Sequence, residues 1–255
     1  MNHRHGTFCF AEIATPHPAQ AQEYYGDLFG WTTLDVLSTS GGYSLLQSAG
    51  RTVAGLRHAP SDTTPRWIPY VSVSSVEDTL TAAMALGATM HDAPFAVPGV
   101  ANMATLVDPA GRTIGLWQGD GCEGVDVKEV AGSLSWVELL AGETEPVTQF
   151  YASLFGWEVT AKPMAHLRNA YVVFKAGTES VGGAITIEPD WGATPERWQV
   201  LFAVNDFDGI IARAKGLGGS MEAPIDVPDI GRCALLRDND KAAFIIMHPV
   251  ARQGS

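Results

Sequence analysis

Two glutamates occupy matching places in this chain. Glu12 follows the run Phe8-Cys9-Phe10-Ala11, and Glu138 follows Trp136-Val137, 126 residues later. A carboxylate set among aromatic and aliphatic residues is a candidate general acid or base, provided burial raises its pKa. The same residue can instead be structural, hydrogen-bonded to a tryptophan N–H or to backbone. Recurrence at one offset favours the structural role, because framework residues also persist through a duplication. Other catalytic signatures are absent: there is no nucleophile elbow, P-loop or dinucleotide fingerprint. The three cysteines, Cys9, Cys122 and Cys233, are sparse and odd in number and contain no CxxC pair, so neither a disulfide framework nor a zinc cluster follows. Cys9 alternates with Phe8 and Phe10 and is expected to face a helix as a buried thiol. His3 and His5 sit in a polar N-terminal stretch and read as a frayed terminus rather than a metal site.

Composition narrows the function classes. Hydrophobic residues are 46% and charged residues 17% of 255, a balance that suits a compact globule and is long enough for two domains. The net charge of -12 repels polyanions, so nucleic acid and anionic membrane are poor partners. There is no apolar signal core and no run of 18 apolar residues. The expectation is a cytoplasmic protein whose partner is a small molecule.

The elements that must position the glutamates come in repeats. Glu23-Tyr24-Tyr25-Gly26-Asp27-Leu28-Phe29-Gly30-Trp31 returns as Gln149-Phe150-Tyr151-Ala152-Ser153-Leu154-Phe155-Gly156-Trp157, identical at five of nine positions. Arg66-Trp67 returns as Arg197-Trp198, Pro98 as Pro228 and Asp108 as Asp238. Ala21, Tyr24, Tyr25, Leu28 and Phe29 keep the i, i+3, i+4, i+7, i+8 spacing of an amphipathic helix ended by Gly30, and Val147 to Phe155 repeats it before Gly156. Further helices are predicted over Val76–Leu86 and Phe207–Leu217, with strands before each helix and several after. The predicted layout is a first domain at 1–120, a glycine-rich acidic linker at 121–131, a second domain at 132–250 and a tail at 251–255. Each domain holds two strand–helix–strands modules, an α+β architecture whose paired modules can close a sheet face into a cup.

That order resembles the vicinal oxygen chelate superfamily of glyoxalases, bleomycin-resistance proteins and extradiol dioxygenases. The resemblance rests on the helix ending in Leu-Phe-Gly-Trp, on Asp108-Pro109-Ala110-Gly111 before the last strand, and on Trp136-Val137-Glu138-Leu139, which is similar to an actinobacterial glyoxalase-like branch. It implies a tandem pair of cup-shaped mixed sheets, each of two βαβββ modules. The second copy departs at Asp238-Asn239-Asp240-Lys241, so its last turn is expected to differ. The superfamily's metal positions fall on Phe10, Ile68 and Gly115 in the first domain, and on Trp136, Gln199 and Ile245 in the second. Of these only Gln199 offers a donor, and one weak oxygen does not hold an ion. His58 and Glu188, near a further ligand position, have no visible partners and read as surface residues. No metal and no cofactor is therefore expected.

Alternation along the strands then fills the cups. With Phe10 inward, Phe8 and Glu12 follow; with Ile68, Tyr70 and Ser72; with Gly115, Trp117. The second cup gains Trp136, Glu138, Gln199 and Met247, and Tyr43 and Tyr171 stand as wall residues. Aromatic walls around one carboxylate suit a flat, largely apolar ligand such as an aromatic or polyketide-type metabolite or antibiotic. The leading expectation is metal-independent binding of such a molecule, with the first cup preferred because Gly115 and Ser72 leave room. The alternative is a metal-free isomerase, lyase, cyclase or hydroxylase-labelled tailoring enzyme using Glu12 or Glu138. Filled cups would instead mean an interaction protein, and a metal-dependent glyoxalase or dioxygenase is disfavoured by the missing ligands. With both domains in one chain a monomer is feasible and a dimer possible.

Overall fold

The computed structural model describes residues 3–250; the tail at 251–255 lies outside the described residues. The first module runs β1 (Phe8–Thr15), α1 (Pro18–Phe29), β2 (Thr32–Val36), β3 (Tyr43–Ser48) and β4 (Arg51–His58). The second is β5 (Arg66–Ser72), α2 (Val76–Ala85), β6 (Thr89–Val97), β7 (Ala101–Val107) and β8 (Thr113–Gly119). The third is β9 (Leu134–Ala141), α3 (Thr144–Phe155), β10 (Glu158–Lys162), β11 (Tyr171–Ala176) and β12 (Glu179–Thr186). The fourth is β13 (Arg197–Ala203), α4 (Phe207–Gly216), β14 (Ser220–Met221), β15 (Ile225–Val227), β16 (Gly231–Arg237) and β17 (Ala243–Pro249).

The first sheet has the order β2-β3-β4-β1-β5-β8-β7-β6, and the second β10-β11-β12-β9-β13-β17-β16-β14, with β15 on β16. Each sheet joins its two modules at the centre through an antiparallel pair, β1 with β5 and β9 with β13. Parallel pairs flank that seam, β1 with β4 and β5 with β8, and β9 with β12 and β13 with β17. The outer strands β2, β6, β10, β14 and β15 carry no clear alternation, because much of their length is exposed on both faces. This is why only the inner strands and the helices stand out in the sequence.

The repeated helix motif fastens the two halves to each other. Gly30 and Gly156 adopt left-handed backbone at φ 73° and 69°, ending α1 and α3. The tryptophans that follow reach across: Trp31 Nε1 donates to Gly132 O at 3.0 Å, and Trp157 Nε1 to Gly6 O at 2.6 Å. Tyr25 Oη donates to Asp238 at 2.7 Å and Tyr151 Oη to Asp108 at 2.9 Å, and each tyrosine accepts from a tryptophan of its own half, Trp67 or Trp198. The helices and the convex sheet faces thus share one core containing Tyr24, Tyr25, Phe150 and Phe155, with Phe29 packed against it.

Two expectations about turns and termini are corrected. The last turn of the second half keeps the geometry of the first. Asp238 N donates to Ala242 O as Asp108 N does to Arg112 O, and Lys241 at φ 74° stands where Gly111 has φ 94°. His3 is buried, with Nε2 3.2 Å from Val125 O, and burial beside Lys128 lowers its pKa to about 4. The segment at 121–131 packs along the first domain: Val125 N donates to Cys9 O and Asp126 N to Thr52 O, both at 2.8 Å.

Candidate functional site

The cups lie on the sheet faces turned away from the shared core. In the first, Phe10, Ile68, Tyr70 and Trp117 are fully buried and Tyr43 is nearly so. The rings of Phe10 and Trp117 lie 4.3 Å apart between centroids, with Tyr70 edge-on to both. A Cβ at Gly115 would collide with the Tyr70 ring, and a Cβ at Gly55 with Tyr43 and Phe10. The glycine that the sequence suggested as free space is therefore occupied by a neighbour's ring. Ser72, at the end of β5, donates its amide to Thr7 O at 2.9 Å. Trp117 Nε1 donates to Cys122 O at 3.2 Å, so the segment after β8 covers this end of the cup.

Glu12 sits within that packing with no exposure. Its Oε1 accepts from Arg57 Nε at 2.7 Å and from Tyr70 Oη at 3.1 Å. Arg57 continues to Asp92 at 2.9 Å and lies over the Phe95 ring, tying β4 to β6 across the cup. Burial and the charge of Glu12 hold Tyr43 and Tyr70 well above the usual phenol pKa.

Phe8 is corrected: it does not face this cup. The β1–β5 register shifts between Phe8 and Phe10, and a bulge of one residue reverses the facing of everything beyond it. Phe8 consequently packs on Trp157 and Trp198, at 5.5 and 5.2 Å between centroids. Cys9, expected to face a helix, joins the cup-side cluster instead. Its burial raises the thiol pKa far above the ordinary value.

The second cup is built on the same plan with different side chains. Trp136 replaces Phe10, Gln199 Ile68, Leu201 Tyr70, Ile245 Gly115 and Met247 Trp117. Trp136, Tyr171, Ile245 and Met247 all remain partly exposed. Tyr171 lies over Gly183, where a Cβ would strike its ring, and Trp136 Nε1 donates to Tyr171 Oη at 2.8 Å. Glu138 pairs in register with Gly183 on one side and Gln199 on the other. No cation lies within 4 Å of it among the described residues. The register also explains the loss: Tyr43 and Gly55 correspond to Tyr171 and Gly183, so Arg57 corresponds to Ile185. Burial pushes the Glu138 carboxyl up to about 7, opposed by its hydrogen bond with Tyr171. Cys233 stands close enough for the Glu138 charge to act on it, after burial, in raising its thiol pKa to about 12.

Residues that sequence reasoning missed are Arg57, Arg197 and Cys233. Arg57 was legible: aligning Tyr43 with Tyr171 would have set it against Ile185. Cys233 and Arg197 needed the register of β16 and β13. Glu188, expected at the surface, is buried and accepts from Arg168 N at 3.0 Å, whereas His58 is exposed. Two surface cavities, of about 390 and 420 Å³, lie elsewhere. One is between the end of α1 and the start of α4, the other along Asp226–Arg232 and His248–Val250; Glu12 and Glu138 line neither.

The superfamily's metal does not fit the residues present. Phe10, Ile68 and Gly115 offer no side-chain donor. Trp136 spends its N–H on Tyr171, Ile245 has nothing to offer, and Gln199 Oε1 already accepts from Arg197 at 2.8 Å. No group of three His, Cys, Asp or Glu side chains able to hold a metal ion occurs among the described residues.

No family model matches the sequence. Whole-chain relatives do. The glyoxylase-named protein CFP32 of Mycobacterium tuberculosis is 32% identical over 258 residues, covering 98% of each chain. The anthracycline biosynthesis protein DnrV of Streptomyces peucetius is 30% identical over 279 residues, again covering 98% of each. Among solved structures, a Mn(II)-bound glyoxalase from Novosphingobium aromaticivorans superposes with a TM-score of 0.63 at 14% identity, covering 98% of this chain and 85% of that one. An extradiol ring-cleaving dioxygenase from B. fuscum gives 0.64 at 14%, covering 100% and 74%. These structural likenesses carry the fold alone. No helix among the described residues is long and apolar enough to cross a membrane. With its repeated cups and these whole-length relatives, the chain belongs to the vicinal oxygen chelate superfamily, in the tandem-domain group of glyoxylase-named and anthracycline-biosynthesis proteins.

Proposed function

We propose that the second cup binds a flat, largely apolar small molecule without a metal and that Glu138 moves a proton on it. The observation that carries this reading is Glu138 itself. It is a carboxyl without a cation, among partly exposed aromatic and aliphatic walls, with its pKa pushed up to about 7. A group poised near neutrality is present in both protonation states and can take a proton from one atom and return it to another. Tyr171 and Trp136 orient it, because the tryptophan N–H occupies the tyrosine oxygen and leaves the tyrosine O–H for the carboxyl. Glu12, ion-paired and sealed, is assigned the structural role.

The metal-dependent glyoxalase or dioxygenase reading is disfavoured by the donor chemistry of Phe10, Ile68, Gly115, Trp136 and Ile245. The name of DnrV, an anthracycline biosynthesis protein, supplies the ligand class: a fused-ring aromatic of the anthracycline type. The reaction is then an isomerisation, elimination or cyclisation driven by proton transfer. Calorimetric titration with anthraquinones and anthracyclinones tests the binding step, with Trp136→Ala expected to weaken it. Glu138→Gln should retain binding and lose turnover. Activity that disappears on metal stripping and returns with added Mn, Fe, Ni or Zn would sink the proposal.

A further inference from the structure

We propose that Arg197 and Gln199 form an anion handle in the second cup, which takes an acidic oxygen of the ligand, a carboxylate or a phenolate. The inference rests on the reading of that cup as the ligand site and adds the substrate class. Along β13, Trp198, Val200 and Phe202 are buried in the shared core, so alternation turns Arg197, Gln199 and Leu201 to the cup. Arg197 Nη2 donates to Gln199 Oε1 at 2.8 Å. That bond occupies the amide oxygen of Gln199 and leaves its NH2 group as a second donor.

Arg197 is partly buried, yet no carboxylate of the described residues lies within 4 Å of it. Its Nε is a buried donor without an acceptor. Arg237, on β16, adds a second positive charge nearby; burial first and then that charge lower the Arg197 pKa, opposed by the charge of Glu222. Arg237 itself is held by Glu222 at 3.0 Å. The counterpart in the first domain, Arg66, also has a buried Nε without an acceptor and feels Asp92 as Arg197 feels Glu222; it differs in contacting His91 of β6 and in its neighbour along the strand. In the second domain the matching edge is broken into β14 and β15, with residues 222–224 between them outside any strand. Ile68, at the place of Gln199, offers no donor in the first cup.

Arg197 Nη1 and Nη2 already donate to Pro195 O and Gln199 Oε1, so the two donors offered to a planar oxyanion are the Arg197 Nε and the Gln199 NH2 group. Gln199 lies directly opposite Glu138 in register, and such partners stand about 4.5–5.5 Å apart at Cβ. An oxygen anchored on Arg197 and Gln199 therefore brings the neighbouring ring atoms toward Glu138.

The test uses three naphthalene probes in calorimetry on the full chain: 2-naphthoate, 2,4-dinitro-1-naphtholate and neutral 2-naphthamide. Wild type should bind at least one anion about tenfold more tightly than the amide, the scale of one charge-assisted hydrogen bond. The preferred anion tells carboxylate from phenolate. Arg197→Ala should erase the preference while leaving 2-naphthamide affinity unchanged, and Arg197→Lys should recover part of it. Gln199→Leu should weaken the anion alone, which keeps the test open if Arg197→Ala fails to fold. Arg51→Ala, on the exposed start of β4, should change nothing. Equal affinity for anions and amide, with amide binding lost in Trp136→Ala, would overturn the handle and leave the cup reading standing. If wild type binds none of the three probes, both fall.

Discussion

The two cups share a sheet, a helix motif and a glutamate at the same register position, and they differ in what faces that glutamate. In the first, Arg57 meets Glu12 and three aromatic rings close around the pair. In the second, Ile185, Leu201 and Met247 take the places of Arg57, Tyr70 and Trp117, and the carboxyl is left without a cation. The difference teaches that a repeated carboxylate says little until its partners are known. Beside Arg57 the buried carboxylate has a counter-charge; with no cation beside it, burial raises its pKa instead. Duplication permits this division, since one copy can be packed solid without emptying the other.

The largest test of the contrast is Arg57→Ala. It leaves Glu12 buried with no counter-charge, and breaking a buried pair in this way costs about 3–5 kcal/mol. Ile185→Ala, at the matching place, removes only aliphatic contact at a partly exposed site and should cost about 1 kcal/mol. Urea unfolding midpoints compare the two; equal losses would mean that the pairing in the first cup is not what seals it. The next pair is Trp117→Ala against Met247→Ala. A fully buried tryptophan in close ring contact should cost about 3–5 kcal/mol, and the partly exposed methionine about 1 kcal/mol.

A third test reads Glu138 through pH. Its folded-state pKa is raised from 4.5 to about 7, so the folded protein holds a proton that the unfolded chain releases. Stability is therefore greatest below about 4.5, falls as pH rises to 7, and is flat above. The full shift at about 1.4 kcal/mol per unit, reduced for the solvent contact of the cup, gives a loss of about 2 kcal/mol. Glu138→Gln should remove this slope, and a variant with the wild-type slope would show that another group titrates there. In the proposed reaction, with the Glu138 carboxylate as the base, the acidic limb of the rate profile should rise through the same pH.

The sequence carried the fold further than the site. Helix ends were legible because Gly30 and Gly156 must adopt left-handed backbone, and the inner strands because their residues are buried on regular faces. The edge strands, exposed on both sides, left no pattern. Phe8 was misplaced because a bulge has no signature in alternating hydrophobic residues, and the facing of every residue before it depends on that one insertion. The filling of the first cup was illegible for a different reason. Gly115 suggests space, but whether space survives depends on where the Tyr70 ring goes, and that is settled by packing between strands far apart in sequence. The partial exposure of Trp136, Tyr171, Ile245 and Met247 was likewise hidden, since it too depends on packing between distant strands.

The smallest expected effect concerns the last turns, which the sequence suggested would differ and which fold alike. Gly111 holds φ 94° in the first and Lys241 holds φ 74° in the second. For a residue with a Cβ, left-handed backbone costs roughly 1–2 kcal/mol. Glycine removes that strain but gains freedom in the unfolded chain, worth about 0.4–1 kcal/mol in the opposite sense. Lys241→Gly should therefore stabilise by about 0.5 kcal/mol, and Gly111→Ala should destabilise by about 1 kcal/mol. The Lys241 substitution keeps the hydrogen bonds from Ala242 N and Asp240 N to the Asp238 carboxylate, and that carboxylate is the one that Tyr25 grips from the other half. Relief of the turn should reach the interface no farther than this carboxylate, so the midpoint of thermal unfolding should rise slightly while anion preference in the second cup stays as it was. A loss of stability in Lys241→Gly would show that the lysine side chain contributes more than its backbone costs.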